Sequence, residues 1–199
     1  YDLYGHTGIG TQQYPPDEAV HRRSKGEGWS TESLVQKRNM LVAALSQYLG
    51  CPVVLSDQTQ PEPEAPFVYY SILTDMQPTG EMGAYRFDGV QEHRRVNPTM
   101  TLSFTAVSWS RWQDENTYIQ GEDEAMELCE RMQGFFLHSG KDEIHAAGFV
   151  VVDLSDSGNR SFLEVDQMAR QYGFDVQLRY CRVDSRTVGE IKTVVIKKE

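Results

Sequence analysis

The sequence predicts an α+β fold, in which two main helices pack on one face of a mostly antiparallel sheet of four to six strands. Two segments, residues 34–49 and 122–138, repeat apolar residues at helical spacing. Other segments alternate apolar and polar residues with the period of a strand, most clearly residues 174–181. The strands are joined by connections of hairpin length, which favours antiparallel pairing.

Length and composition indicate one globular domain. The chain has 199 residues, 39% of them hydrophobic and 24% charged, enough to bury one core. Its formal net charge of −10 argues against a dedicated DNA-binding face, which needs clustered Lys and Arg. No apolar run approaches the roughly 18 residues that span a bilayer, and residues 1–10 show no signal-peptide pattern. We therefore predict no membrane partner.

The three cysteines do not suggest a metal site or a disulfide framework. Cys51, Cys129 and Cys181 are an odd number and form no CxxC pair. We interpret all three as small buried hydrophobic residues in a reduced compartment.

Residues 1–29 are predicted to form an extended N-terminal arm, followed by a single domain at residues 30–199. Gly and Pro interrupt the arm, and no helix or strand period appears. A solvated linker rarely keeps many large apolar side chains, so an arm that contacts a neighbouring protein and an arm that folds back on its own domain are equally consistent. The basic run at residues 21–25 is either a partner for an acidic surface or a charged tether. The candidate interface residues in the arm are Tyr1, Leu3, Tyr4, Ile9, Tyr14 and Trp29.

The first helix is predicted to begin near Ser30, with Ser30 or Thr31 as its cap, and to end at Gly50. A short strand at residues 51–55, a proline-rich loop at residues 56–66 and a strand at residues 67–73 should follow. The apolar face of this helix is formed by Leu34, Leu41, Leu45, Tyr48 and Leu49.

Residues 75–96 carry Gly, Pro and many charges, and we predict an elaborated hairpin or a mobile loop there. Tyr85, Phe87 and Val90 alternate in a short strand pattern, and Tyr85 and Phe87 are candidate interface residues. The next segment, residues 99–106, alternates Thr or Ser with apolar residues and predicts a half-buried strand.

The second helix is predicted over residues 122–138, with acidic residues in the first turn, where the helix dipole favours them. A helical turn at residues 142–147 and a strand at residues 149–154 should follow. A turn at residues 155–159 then leads into one long strand through residues 164–181, and residues 191–196 are a candidate terminal strand. The buried stripe of the second helix is Ala125, Cys129, Met132 and Phe136, widened by Leu128 and Phe135.

No segment carries a catalytic, cofactor or metal signature. The Gly-rich run at residues 5–10 lacks the preceding strand and following helix of a phosphate loop. Asp142, Glu143 and His145 lack the His spacing of a helical zinc site, but they leave open a small metal-dependent hydrolase. Ser157 lies in no G-x-S-x-G elbow. We therefore predict a non-enzymatic protein without cofactors.

Glu122, Asp123 and Glu124 form the acidic start of the second helix. Such a run is usually a solvated face. In a ring-forming protein it would instead suit the lumen, where it repels DNA phosphates.

Several short blocks resemble the phage neck or tail terminator family, over roughly residues 31–184. The longest reads PVVLSDQTQPEPEAPFVYY at residues 52–70; the others are PTMTLSFTA at 98–106, EAMEL at 124–128, VVVD at 150–153, Asn159-Arg160 and RQYGFDV at 170–176. The chain departs from the family pattern in its long arm and in residues 75–96, which look inserted.

The resemblance implies a structural virion protein of the neck, assembled in the host cytoplasm. It implies a hexameric ring that caps the tail tube and joins it to the head-side connector, while viral DNA passes through without specific binding. The partners would be further copies of the chain, the tail tube protein and the connector or adaptor protein. A head-completion or adaptor subunit and a tail-tube subunit are the alternatives.

Overall fold

The computed structural model describes residues 32–56, 61, 63–163 and 168–189. The predicted α+β class with mostly antiparallel strands is confirmed. The predicted arm, its six candidate residues, the basic run and the strand at residues 191–196 lie outside the described residues. The elements are α1 (Leu34–Leu49), β1 (Val53–Leu55), β2 (Phe67–Gln77), β3 (Ala84–Phe87), β4 (Gln91–Val96), β5 (Thr99–Ser108), β6 (Arg111–Trp112), β7 (Tyr118–Ile119), α2 (Gly121–Gly134), a π-helical turn (Phe135–Ser139), α3 (Lys141–Ala146), β8 (Phe149–Leu154), β9 (Gly158–Asn159), β10 (Phe162–Leu163), β11 (Met168–Tyr180) and β12 (Arg182–Thr187).

The main sheet is built around one long antiparallel pair, β5 and β11, whose register runs from Thr99 opposite Arg179 to Ser108 opposite Arg170. On either side the order is β1-β2-β5-β11-β10, and β8 and β9 also pair with β11. Among the described residues this sheet has seven strands, against the four to six predicted. The two-residue strands β9 and β10 are too short to show a period in sequence, and β1 adds a parallel edge.

The first helix is capped by Ser33. The Ser33 hydroxyl accepts a hydrogen bond from the Gln36 backbone N–H at 3.2 Å, and the Gln36 side-chain oxygen accepts one from the Ser33 N–H at 2.9 Å. This reciprocal capping box needs Glu or Gln three residues after the cap. The predicted caps Ser30 and Thr31 were wrong because neither has such a residue at that position. Gly50 ends the helix at φ +72° as predicted.

The apolar core lies between the helices and one face of the main sheet. Leu41, Leu45 and Leu49 of α1 are buried, as their spacing predicts, whereas Tyr48 is 41% exposed. The Tyr48 ring lies at the margin of the core, 5.3 Å from the ring of Phe135. Among the cysteines only Cys129 is buried, and burial raises the pKa of its thiol to about 11. The interpretation was wrong for Cys51 and Cys181, which are half-buried.

The second helix buries its predicted stripe but does not remain α-helical to residue 138. The α-helix ends at Gly134, and the Gly140 N–H bonds to the Phe135 carbonyl at 2.9 Å, five residues back. This π-helical turn places two consecutive rings, Phe135 and Phe136, in the core. A Cβ atom at position 140 would overlap the Phe135 ring, so the turn requires glycine there.

The alternating strand β5 is buried on both faces rather than half-buried. Met100, Leu102, Phe104 and Ala106 belong to the core under the helices. On the second face, Thr99, Ser103 and Thr105 are also at most 7% exposed. Arg160, from the loop after β9, lies over the second face and donates to the Ser103 and Thr105 hydroxyls. The alternation in β5 correctly predicted which residues share a face. It could not predict that a loop covers the polar face.

Candidate assembly surfaces

Two small sheets leave opposite ends of the β5–β11 pair. The first, of order β12-β4-β3, connects to the start of β5 and to the end of β11. The second, the β6–β7 ribbon, directly follows the end of β5. At about 3.3 Å per residue, β5 separates them by about 33 Å. We call residues 78–96 with 182–188 the arginine end, and residues 109–120 the tryptophan end.

The arginine end exposes large apolar side chains. Within residues 75–96, β3 and β4 form a hairpin, which is one of the two structures predicted for this segment, whereas residues 75–77 belong to β2. Tyr85 and Phe87 lie on one face of β3 and are 54% and 58% exposed, and Met82 and Val90 are 81% and 65% exposed. Monomers rarely cluster such groups at a surface without a partner. Tyr85 and Phe87 therefore remain candidate interface residues, now with a shared location.

The arginine end also carries positive charge that its own carboxylates do not offset. Arg182 pairs with Asp184 at 2.9 Å, and Arg186 pairs with Glu92. Across the described residues, no carboxylate lies within 4 Å of the remaining three arginines of this end. These are Arg86, Arg94 and Arg95.

A groove of about 520 Å³ opens between the arginine end and the end of β2. Its apolar walls include Met76, Met82, Tyr85, Val96 and Pro98. One of its polar residues is Arg94, whose Nε donates to the Met82 carbonyl at 3.0 Å. Arg182, Asp184 and Glu81 also line the groove. The groove thus combines apolar walls with charged groups of both signs and is large enough to accept a side chain from outside.

The tryptophan end exposes a pair of aromatic rings that contact each other. Trp112 and Tyr118 are 67% and 49% exposed, and their ring centroids are 5.1 Å apart in an edge-to-face arrangement. The turn between them is held by the Asp114 carboxylate, which accepts the backbone N–H groups of Asn116 and Thr117 at 2.9 and 2.8 Å. These bonds hold the pKa of Asp114 below its usual value, so the end is anionic at neutral pH.

No strand or interface was predicted at the tryptophan end. Two-residue strands are too short to show a period, so only turn chemistry was available as a signal. The run Asp114-Glu115-Asn116 between Trp112 and Tyr118 has the composition of a tight turn between two paired aromatic residues.

The acidic start of α2 is not uniform. The Glu124 carboxylate accepts hydrogen bonds from Arg111 at 2.7 and 3.0 Å and another from the Ser108 hydroxyl. Burial raises the pKa of Glu124, but these bonds outweigh it and leave the pKa below its usual value. Glu122 accepts a hydrogen bond from the Tyr172 hydroxyl at 3.0 Å. Asp123 is exposed. As lumen residues the three stay a prediction, and the charge of Glu124 is offset by Arg111.

A polar cluster fixes the second face of the main sheet. Arg160 donates to Asp175 at 2.9 Å and to the Ser103 hydroxyl at 2.6 Å, and that hydroxyl donates to Asp175 at 2.6 Å. A Cβ atom at position 173 would overlap the Phe104 carbonyl and the Thr105 hydroxyl and crowd Arg160, so β11 needs Gly173 there. Residues 159–160 and 170–176 carried part of the family resemblance, and this cluster gives both blocks a structural role.

One side-chain arrangement has the connectivity of a hydrolase triad. His93 Nδ1 lies 2.7 Å from the Ser185 hydroxyl, and His93 Nε2 lies 3.1 Å from Asp88. The same Asp88 carboxylate accepts the N–H groups of Val90 and Gln91, which closes the β3–β4 turn. Ser185 and Asp88 are exposed on the sheet surface, whereas charge stabilisation in catalysis needs a site that excludes water. We interpret the arrangement as a clamp on the hairpin.

The hydrolase alternative finds no support at its predicted residues. Asp142, Glu143 and His145 are exposed on the six-residue helix α3. Across the described ranges, no three His, Cys, Asp or Glu side chains are placed to hold a metal ion. Within the same part of the chain, no helix has both the length and the apolar character needed to cross a bilayer.

The sequence profile described as phage neck terminator protein matches residues 39–199. The matched region is well over half of the chain and includes every described element from most of α1 onwards. No curated protein matches the chain.

Proposed function

The chain belongs to the phage neck terminator family, and on that premise we propose that it forms a ring that caps the tail tube and joins it to the head-side connector. Membership places the protein among the structural components of the phage neck. The family match over residues 39–199 is the observation that carries the proposal. The finer elements are a hexameric ring, assembly in the host cytoplasm and DNA in the lumen. The six copies and the place of assembly are what the family resemblance implies, whereas ring closure and passage of DNA also have physical support.

Ring formation is supported by the different chemistry of the two ends. A surface with unpaired arginines repels a copy of itself, and so does an anionic one, which disfavours two-fold contacts between identical patches. Contact between different patches on successive copies produces either a closed ring or an open filament. A terminator that meets the end of a tube suits the closed form.

Passage of DNA is supported by charge. A net charge of −10 offers few cations for phosphate neutralisation, which is the main source of non-specific DNA affinity. We assign Glu122, Asp123 and Glu124 to the lumen as candidates. Asp123 contributes most to repulsion because no cation lies within 4 Å of it among the described residues, whereas Arg111 offsets Glu124.

We also propose that the N-terminal arm contacts a neighbouring neck protein. Its large apolar side chains, including Tyr4, Tyr14 and Trp29, motivate this role. Deleting residues 1–28 should leave the unfolding midpoint within the error of the full chain and lower the yield of complete virions. A normal virion yield would remove the arm from assembly.

The ring is tested in particles rather than in solution alone. A phage lacking this gene is complemented with the full chain, and its necks are imaged and analysed by mass spectrometry. The proposal expects one ring of this chain between the tail tube and the connector. Location inside the tube would instead support a tail-tube subunit, and location at the head side of the connector would support a head-completion or adaptor subunit.

A further inference from the structure

We infer that the tryptophan end of one copy inserts into the groove at the arginine end of the next copy. This inference rests on the proposed ring and specifies the contact that builds it. The partner is a second copy of this chain, and the anchor is the Trp112–Tyr118 pair.

The groove and the exposed tryptophan match in shape and composition. The groove of about 520 Å³ is lined by Met76, Met82, Val96 and Pro98 beside the exposed Tyr85 ring. Pockets of a few hundred cubic ångströms with apolar walls are typical binding sites for aromatic groups. Trp112 is 67% exposed on a two-strand ribbon, so it projects an aromatic anchor of the kind that dominates interface energetics.

Charge at the groove and at the ribbon turn also favours this contact. At the groove, Arg94 has no carboxylate within 4 Å among the described residues, whereas Arg182 is paired with Asp184. Glu81 also lines the groove. At the tryptophan end, Asp114 and Glu115 lie in the turn directly between the two aromatic residues. Inserting Trp112 therefore brings this turn to Arg94, whose guanidinium group can pair with Asp114 or Glu115 and so orient the incoming chain.

The positions of the two ends allow the contact to repeat from copy to copy. The two ends lie on opposite ends of β5, so a chain using both binds one neighbour on each side. The arginine end has five arginines to four carboxylates, and the tryptophan end has two carboxylates to one arginine, so contact between unlike ends is favoured over contact between like ends. Repetition of one contact between different surfaces produces the closed ring that the proposed function needs.

Cross-linking tests the contact directly. Met82 is 81% exposed, and Glu115 lies at the exposed tip of the ribbon turn. In complemented particles, the full chain with both Met82→Cys and Glu115→Cys should form a ladder of covalent multimers with a short bis-maleimide. Each single variant and the unmodified chain, with its native cysteines, should give only monomer. Dimers from Met82→Cys alone, or no ladder from the double variant, would overturn the inference.

Charge reversal supplies an independent test. Arg94→Glu or Glu115→Arg alone should lower incorporation into necks at least tenfold, and the combined variant should recover most of it. Lys141→Glu is the matched control, because Lys141 is an exposed cation on α3, away from both ends, and should leave incorporation unchanged. Failure of the combined variant to recover beyond either single one would contradict the inference.

Trp112→Ala separates the inference from the proposed function. It should abolish the cross-linked ladder, whereas Leu137→Ala, at 68% exposure, should retain it. A Trp112→Ala protein that still forms rings but fails to attach to tail tubes would mean that this end binds the tube protein, and the inference would be wrong. Normal necks in particles that contain no form of this chain, neither unmodified nor variant, would instead refute the proposed function.

Discussion

Aromatic side chains are used in two opposite ways in the middle of the sheet and at its tryptophan end. In the middle, the rings of Phe104, Phe136 and Phe174 lie 5.2–6.3 Å apart and are at most 4% exposed. At the end, Trp112 and Tyr118 make a ring contact of the same kind at 5.1 Å, yet both are about half or more exposed.

This contrast in burial separates the rings that stabilise the fold from the rings that stay exposed to solvent. Burial removes apolar area from water and supplies most of the stability of a domain. A ring pair that keeps half of its surface in water contributes little of that term. The exposed pair is therefore available to bind without loss of the fold, and the predictions below test this division.

The largest effect is expected in the core. Phe104→Ala should lower the free energy of unfolding by about 3–5 kcal/mol, because it leaves a cavity among Phe136, Phe174 and Tyr70. Denaturant titration followed by circular dichroism measures it. Phe87→Ala, the same change at a residue 58% exposed, should cost no more than about 0.5 kcal/mol. Equal losses of stability in the two variants would contradict the distinction between buried and exposed rings.

A smaller effect is expected on the second face of the sheet. Arg160→Met should cost about 1–2 kcal/mol, because it leaves Asp175 and the Ser103 hydroxyl without their cation, although solvent reaches the ion pair. The same denaturation series measures it. Arg95→Met is the control for loss of an exposed arginine. An unchanged free energy of unfolding in Arg160→Met would show that the cluster does not stabilise this face of the sheet.

At the tryptophan end the expected stability effect is smaller again. Trp112→Ala should change the free energy of unfolding by no more than about 1 kcal/mol, because only the ring contact with Tyr118 is lost. A thermal melt of the variant beside the unmodified chain measures it. A loss as large as that of Phe104→Ala would mean that this end belongs to the fold and is not a free surface.

The smallest effect concerns the hairpin turn at the arginine end. Backbone N–H groups of Gln91 and Val90, with His93, lower the pKa of Asp88 to about 2 from its ordinary value near 3.8. A lowered folded pKa means that the ionised carboxylate stabilises the turn above about pH 3.8, and that this stabilisation is lost as the pH falls through about 2. The Val90 and Gln91 amide NMR signals should shift in that range, and Asp88→Asn should remove the shift.

Much of the fold could be predicted from the sequence because long elements repeat their pattern many times. The stripe of Ala125, Leu128, Cys129 and Met132 identified α2, and the alternation around Phe174 identified β11. The α1 cap was misplaced because several hydroxyl residues precede the helix and only one has its reciprocal partner in place.

The candidate surfaces could be predicted only in part. Tyr85 and Phe87 were proposed from a short alternation, and the structure adds the groove and the unpaired arginines around them. The tryptophan end had too few residues per strand to show a period. The partners of Glu124 and Asp175 could not be predicted, since Arg111 and Arg160 lie 13 and 15 residues away and meet them only in the folded chain.

The sequence by itself determined the fold class, the family and the identity of the core helices, because periodic burial and the resemblance blocks are properties of consecutive residues. The tertiary structure alone decided which polar groups are paired and which aromatic rings stay exposed. Both depend on residues brought together across the sheet, as when Arg160 covers β5 and Trp112 meets Tyr118. No local pattern encodes those distances, which separate the surfaces that complete the fold from those left exposed to solvent.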